Sequence, residues 1–150
     1  MWRALVRLLV VLPRTLDDDL QHASGLSLTH YVVLMRLSEM PDQQLRMSDL
    51  ASQVELSPSR MSRIIQLLQA RGLVTRSVSA DDARAGLARL TAAGLTVLQA
   101  AWPTHLASAR SIVFDNLRPD QLALIAPVIT RVLEAAQQPV TTRSPKPFAP

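Results

Sequence analysis

The sequence predicts a mainly helical α+β protein that carries one small β-hairpin. Hydrophobic residues make up 48% of the 150 residues, but only 3% are aromatic and four are glycine. This balance is typical of helices packed through aliphatic side chains rather than of a β-sandwich. Apolar residues also recur three or four positions apart over most of the chain, as on one face of a helix. The length predicts one typical domain rather than two independent cores.

The first predicted helix covers residues 2–22, where the apolar side chains form one stripe. Pro13 lies inside this segment and predicts a kink or a fresh helix start. After a break near residue 25, Ser27 or Thr29 is expected to cap a second helix that ends before Pro41. The apolar stripe of the first helix consists of Trp2, Leu5, Leu9, Leu12, Leu16 and Leu20.

Two further helices are expected close together in the middle of the chain. Residues 48–54 form a short one, and a longer one runs to Arg71. The longer helix has Ser57 as its N-cap, Pro58 at its first helical position and Gly72 just past its end, the usual pattern of start and stop residues.

The predicted hairpin consists of two short strands, residues 73–78 and 85–90, on either side of a polar loop. Gly86 in the second strand is a poor strand former and predicts a bulge. Thr91 directly follows the hairpin and is expected to start the next helix.

The last third of the chain is predicted to be helical up to its tail. One helix is expected over 92–116, interrupted by Pro103, and another over 119–136. The tail, residues 137–150, holds four of the ten prolines and shows no periodicity. We expect this tail to be disordered.

The charge balance favours a partner that carries phosphates. The chain has 16 Lys and Arg against 12 Asp and Glu, which gives a net charge of +4. Residues 43–96 hold a surplus of basic residues, all of them arginine, so the positive charge is concentrated in the middle of the chain. The chain has no cysteine, which excludes disulfides and thiolate zinc sites.

The apolar start of the chain is not expected to direct it to a membrane. Arg7 interrupts the apolar residues, and the stretch ends at Pro13 without a small-residue cleavage site. It is also too short to span a bilayer. We therefore expect a cytoplasmic protein that does not associate with membranes.

The spacing of apolar residues between 47 and 66 predicts a helix-turn-helix. Leu50, Leu56 and Met61 fall where two crossing helices must touch, and Ala51 supplies the small side chain at their closest approach. Glu55 occupies the turn position where the backbone often has a positive φ and glycine is favoured.

The longer helix of this pair divides into two faces. Ser, Arg and Gln side chains near its start could bind base edges and phosphates, and its dipole favours an anionic partner. An ordinary solvated polar face is the alternative. The inward stripe is predicted to be Met61, Ile64, Ile65 and Leu68. The outward face is predicted to be Ser59, Ser62, Arg63 and Gln66, with Arg60 at its edge.

Taken together, these elements resemble the MarR family (multiple antibiotic resistance regulators). The resemblance covers about residues 1–136 and is most specific in its last three blocks. The matching residues are Leu28-Thr29, Leu50-Ala51, Ser57-Pro58-Ser59-Arg60-Met61-Ser62-Arg63, Arg71-Gly72-Leu73-Val74, Asp82-Ala83-Arg84 and Leu90-Thr91-Ala92-Ala93-Gly94.

The resemblance implies a winged helix-turn-helix over about residues 28–91, with dimerisation helices over about 2–22 and 92–136. The resemblance also implies that Arg84, at the tip of the hairpin that forms the wing, enters the minor groove, where the potential is most negative, and that Asp82 orients it. Many members have a second arginine where this chain has Ala83, so Arg76 or Arg89 is expected to compensate at the phosphates. The implied major-groove and phosphate contacts are Ser57, Pro58, Ser59, Arg60, Ser62 and Arg63.

Regulators of this kind bind a small, often aromatic anion between the dimerisation helices and the DNA-binding lobe. The implied candidates for an effector site are Trp2 (contributed by the partner subunit), His30, Tyr31, Met35 and Arg63. The alternative for each of them is a purely structural role, as a core residue, a surface residue or part of the dimer packing. The three histidines are far apart in sequence and have no partner four residues away, so no metal site is predicted.

The sequence therefore predicts a ligand-responsive repressor that binds double-stranded DNA as a homodimer on a pseudo-palindromic operator. One alternative is a winged-helix protein-interaction module without DNA binding. A small enzyme is a weaker alternative, because the chain has no Gly-rich phosphate loop and no convergent Ser/His/Asp set. No cofactor is expected.

Overall fold

Six α-helices and one small antiparallel sheet make up residues 1–78 and 86–138, the part of the chain that this computed structural model describes. Single 3₁₀ turns at Pro41–Gln43 and Phe114–Asn116 join some of these elements. In chain order the elements are α1 (Trp2–Ser24), α2 (Leu28–Ser38), β1 (Gln44–Arg46), α3 (Met47–Gln53), α4 (Pro58–Ala70), β2 (Val74–Val78), β3 (Gly86–Leu90), α5 (Ala92–Ile112) and α6 (Pro119–Gln137). The mainly helical fold with a winged helix-turn-helix is confirmed.

The turn between α1 and α2 follows from two local signals. Gly25 ends α1 with a φ of 65°, a conformation that glycine adopts without steric cost. Ser27 rather than Thr29 caps α2, and its side chain accepts a hydrogen bond from the backbone N–H of His30 at 3.1 Å. Pro13 lies within one continuous helix, so the fresh helix start that it could have marked does not occur.

The sheet has the strand order β1-β3-β2, with β3 in the centre. The hairpin of β2 and β3 confirms the predicted pair of strands, whereas β1 was not predicted. Val78 pairs directly with Gly86, so the paired residues run without the bulge predicted at Gly86. A side chain at Gly86 would come within 3.1–3.2 Å of the Arg76 guanidinium, so the glycine leaves room for that arginine.

The hydrophobic core lies within residues 1–109, which form one compact unit. Every element from α2 to α5 except β1 contributes buried side chains, and Tyr31 is the largest of them. By contrast, α1 buries only Leu20. Core burial therefore fixes the middle of the chain and leaves most of α1 exposed.

The described residues from Arg110 onward, 110–138, belong to the second unit. Arg110 pairs with Asp115 at 3.2 Å ahead of α6. At the start of α6, Arg118 pairs with Asp120 at 3.0 Å, and the Gln121 side chain accepts a hydrogen bond from the Arg118 backbone. No residue of α6 is buried. Among the described residues, no helix is both long and apolar enough to cross a membrane.

Candidate nucleic-acid interface

The helix-turn-helix consists of α3 and α4 joined by a tight turn at Glu55. Glu55 has a φ of 55°, which confirms the left-handed conformation expected at this position. The turn is closed by a hydrogen bond of 2.9 Å from the Leu56 N–H to the Ala51 carbonyl. Leu50, Ala51 and Met61 are buried, so the two helices cross where the apolar spacing predicted.

The sequence of α4 fixes both its start and its orientation. Ser57 accepts a hydrogen bond from the Arg60 N–H at 3.3 Å, and Pro58 occupies the first turn. The predicted inward stripe of α4 is buried, which confirms its orientation. The side chains of Ser57, Pro58, Ser59, Arg60, Arg63 and Gln66 are exposed, and that of Ser62 is half-buried.

The exposed end of α4 is electrostatically suited to anions. Ion pairs between described residues engage Arg36, Arg110 and Arg118, not Arg60 or Arg63. No acidic side chain in the described part of the chain therefore engages the guanidinium of either α4 arginine. Exposed backbone N–H groups and the helix dipole add partial positive charge at the same end.

The far end of α4 is tied to the start of α5 through Thr91. The Thr91 hydroxyl donates to the Gly72 carbonyl at 2.8 Å and accepts from the Gly94 N–H at 2.9 Å. A side chain at Gly94 would collide with the Leu73 carbonyl. The block Leu90-Thr91-Ala92-Ala93-Gly94 therefore has a physical role, because its threonine and glycine hold the turn after α4 against the start of α5.

A second contact holds the end of α4 to the turn between α1 and α2. The Arg71 guanidinium donates to the Gly25 carbonyl at 2.9 Å. On the same turn, Asp17 accepts a hydrogen bond from the Leu28 N–H at 2.7 Å. The helix with the exposed arginines is therefore connected to α1, α2 and α5 by specific hydrogen bonds.

The two strand arginines occupy different positions on the hairpin. Arg76 on β2 and Arg89 on β3 are both exposed, but Arg76 pairs across the sheet with Ala88. Since neighbouring residues of a strand point to opposite faces, Arg76 and Arg89 lie on opposite faces. Arg89 also donates to the Gln44 side chain at 3.0 and 3.2 Å. The wing-tip residues Asp82 and Arg84 lie outside the described residues.

A cleft of about 520 Å³ separates α4 from the amino-terminal end of α2. It brings together two of the predicted effector residues, His30 and Arg63. The ring nitrogen Nδ1 of His30 is buried and has no hydrogen-bond partner among the residues that the structure describes. Burial lowers the pKa of His30 below its ordinary value, Arg71 lowers it further, and Asp17 partly opposes both. The cleft is lined by Ser27, Thr29, His30, Ser59, Arg60, Arg63, Ile64 and Leu67.

The other predicted effector residues lie elsewhere. Tyr31 is fully buried and its ring packs on His105, with the centroids 4.4 Å apart. Met35 lines a second groove of about 450 Å³ between α2 and α5, together with Trp102. Trp2 is 70% exposed at the start of α1 and lines neither cavity.

The contact between Tyr31 and His105 was not predicted. The Tyr31 hydroxyl and the His105 Nδ1 are both buried, and within residues 1–78 and 86–138 neither has a hydrogen-bond partner. Burial raises the pKa of Tyr31, with a smaller contribution from Glu39, and burial lowers the pKa of His105. A single histidine on an apolar helix gives no sequence signal for this packing.

Comparisons with known proteins relate these features to one family. A family model described as MarR family matches residues 24–85. A MarR family transcriptional regulator from Streptomyces coelicolor, solved in complex with DNA, is 33% identical with a TM-score of 0.87 over 93% of this chain and 87% of that one. AbsC, another from the same organism, is 33% identical with a TM-score of 0.85 over 91% of each chain. The PcaV regulator from S. coelicolor, in complex with its natural ligand, is 25% identical with a TM-score of 0.72 over 90% of each chain.

Proposed function

Since the chain belongs to the MarR family of transcriptional regulators, we propose that it binds double-stranded DNA as a homodimer. In this proposal the amino-terminal end of α4 enters the major groove. The observation that carries the proposal is the exposed group of Ser57, Ser59, Arg60 and Arg63. Guanidinium groups and hydroxyls are the side chains that most often contact guanine edges and backbone phosphates.

The hydrogen bonds behind α4 support this role. A recognition helix must keep its orientation while its exposed side reads the groove. Thr91 and Arg71 hold the carboxyl-terminal end of α4, so its exposed amino-terminal end is presented by a rigid support. The relative from S. coelicolor solved with DNA, at 33% identity, also supports DNA as the partner.

The strand and loop arginines extend the proposed interface. We assign phosphate contacts to Arg76, which is exposed on β2 and whose guanidinium lies over Gly86. Arg84 is proposed to enter the adjacent minor groove, with Asp82 orienting it. Arg89 contributes less in this proposal, because its guanidinium is engaged by Gln44.

The homodimer is supported by apolar side chains that no described contact covers. Monomeric proteins rarely expose large contiguous apolar patches. On α1 these side chains include Trp2 and Leu9, and on α6 they include Leu124 and Ile129. A second copy of the chain would cover such surfaces. We therefore assign dimerisation to about residues 2–22 and 92–136, and DNA binding to about residues 28–91.

A two-fold dimer presents two copies of α4 and therefore favours a pseudo-palindromic operator. Half-sites are expected about 34–36 Å apart, one turn of DNA. We further propose that the protein acts as a repressor. A small-molecule effector would release it by favouring a dimer in which the spacing of the two α4 helices no longer matches the groove.

The direct test is selection of bound sequences from random DNA, followed by titration of the selected site. The proposal predicts a sequence with two related half-sites that Arg63→Ala binds at least ~10-fold more weakly. Arg143→Ala is the matched control, because it removes the same charge at a position beyond the residues assigned to DNA binding and to dimerisation, and it should leave DNA affinity within about twofold. Failure to enrich any sequence would favour the alternative of a protein-interaction module.

A further inference from the structure

Gly86 begins the described part of strand β3, where the backbone gives no reason for a glycine. Its φ is not in the left-handed region, since the positive-φ glycines of the described residues are Gly25 and Gly72. It pairs with Val78 in the same register as the rest of the hairpin. A glycine in a strand weakens it and often marks a place where another group approaches closely. The reason for this glycine must therefore lie in the space above it.

The side chains of Arg76 and Met47 occupy the space over Gly86, which we call the Gly86 gap. A Cβ atom at Gly86 would lie 3.1 Å from the Arg76 Nε, 3.2 Å from its Nη2 and 3.2 Å from the Met47 Cγ. Each separation is shorter than the roughly 3.5–4.0 Å of a favourable van der Waals contact. A side chain at position 86 would therefore displace the Arg76 guanidinium from the gap.

The Gly86 gap is on the side of the sheet that packs against the helices. Arg76 is two residues from Val74 on β2 and therefore shares its face, and Val74 is buried in the core. Ala88, which pairs with Arg76 across the sheet, is fully buried as well. Met47 is the first residue of α3 and packs against the same core. The Arg76 guanidinium is therefore on the same side of the sheet as the helix-turn-helix.

Arg89 provides a comparison within the same hairpin, because it is on the opposite face of the sheet. Hydrogen bonds of 3.0 and 3.2 Å to the Gln44 side chain hold its guanidinium there. Arg76 takes part in none of the ion pairs between described residues. Packing over Gly86 is thus the contact within residues 1–78 and 86–138 that orients Arg76.

We propose that Gly86 is a positioning residue, whose missing side chain lets the Arg76 guanidinium lie in the Gly86 gap and reach a DNA phosphate beside the groove that α4 enters. The proposal rests on the proposed function and adds a residue that does not itself touch DNA. The glycine weakens the hairpin, and this loss is the cost of orienting the arginine. Because the contact is to a phosphate, it strengthens binding to all sequences to the same extent.

The orientation of Arg76 can be tested without DNA, by NMR of the free protein. Nuclear Overhauser effects should join the δ and ε protons of Arg76 to the α protons of Gly86. The heteronuclear Overhauser effect of the Arg76 Nε–H should report an ordered side chain. In Gly86→Val this order should be lost, while that of Arg89, held by Gln44, stays unchanged. An Arg76 side chain that is already mobile in the original protein, or equally ordered in Gly86→Val, would overturn the proposal.

On the selected DNA, substitutions of Gly86 and Arg76 should act through one contact. Arg76→Ala should weaken binding by the dimer about 10-fold, and Gly86→Val should weaken it by a similar factor. In the double variant, Gly86→Val should cause less than a further twofold loss, because the arginine that it displaces is already absent. Losses that multiply to about 100-fold in the double variant would show that Gly86 acts independently of Arg76 and would overturn the proposal.

Salt dependence and sequence preference identify the lost contact as one to a phosphate. In Gly86→Val, as in Arg76→Ala, the slope of log K against log[salt] should be shallower by about one unit for each subunit. Both variants should weaken the selected DNA and a scrambled duplex by the same factor. A slope that Gly86→Val leaves unchanged would contradict the assigned contact. If the original protein binds no DNA at all, the proposed function fails, and the NMR measurement still tests the orientation of Arg76 by itself.

Stability separates a positioning role from a purely structural one. Valine favours strands more than glycine does, so the midpoint of thermal unfolding of Gly86→Val should be no lower than that of the original protein, although DNA binding is weaker. Ser77→Val is the matched control, because it adds valine on the exposed outer face of β2 and should leave DNA affinity within about twofold. Gly86→Ala, with a smaller side chain, should give a smaller loss of affinity at full stability. Weaker DNA binding accompanied by a lowered unfolding midpoint in both Gly86 variants would overturn the proposal.

Discussion

Helices α4 and α6 are both amphipathic, yet their apolar faces differ in how far they are buried. In α4 the apolar stripe is buried within the same chain, and Leu68 is fully inaccessible. In α6 no residue is buried, and Leu124 is 71% exposed. Helix α4 therefore obtains its orientation from its own chain. The apolar face of α6 gains stability only from something outside the described structure, which we assign to the second subunit.

Paired truncations of the two helices should give the largest contrast. Leu68→Ala removes a fully buried side chain from α4 and should lower the free energy of unfolding by ~2–5 kcal/mol. Leu124→Ala should cost little at low protein concentration and more as dimer forms. Urea unfolding of both variants over a hundredfold range of concentration measures this difference. A concentration-independent effect of Leu124→Ala would contradict the assignment of α6 to a dimer interface.

The junction between α4 and α5 offers a test in which two physical effects have opposite signs. Helix propensity alone predicts that Gly94→Ala stabilises α5 by about 1 kcal/mol. The collision of the new side chain with the Leu73 carbonyl predicts instead a loss of ~1–3 kcal/mol. Thermal unfolding decides between them. Ala93→Gly at the exposed neighbouring position calibrates the propensity effect, and a stabilised Gly94→Ala variant would show that the packing argument is wrong.

Sequence reasoning predicted local features well and tertiary ones poorly. The Ser57 cap, the positive φ at Glu55 and the inward stripe of α4 depend on neighbouring residues, so they could be read from the sequence. Strand β1 could not, because its three residues are strand-like only when they pair with β3. The contact of His105 with Tyr31 brings together residues far apart in the chain, and periodicity carries no information about such pairs.

The same limit applies to the candidate site. The sequence identified the exposed arginines of α4 from their spacing alone. It also grouped His30 with Tyr31 and Met35, whereas the structure places these three in a cleft, in the core and in a separate groove. Adjacent helix residues such as His30 and Tyr31 point about 100° apart. Residues that are close in sequence therefore need not share a binding site.

Removing the hydroxyl of Thr91 should give a smaller effect than the Gly94 substitution. Thr91→Val deletes a helix cap and the hydrogen bond to the Gly72 carbonyl and should cost ~0.5–2 kcal/mol. Thr96→Val is the matched control, since the described hydrogen bond of its hydroxyl goes back to the Ala92 carbonyl of its own helix. Calorimetry of the two variants compares them, and equal losses would contradict a special role for the Thr91 contacts.

The central claim, that the exposed side of α4 contacts DNA phosphates, is tested most directly by the salt dependence of binding to the selected DNA. If the dimer neutralises about eight phosphates, log K should fall linearly with log[salt] with a slope near −7. Arg63→Ala should make that slope shallower by about one unit for each subunit. Binding that does not change with salt, or a slope that Arg63→Ala leaves unaltered, would contradict the claim.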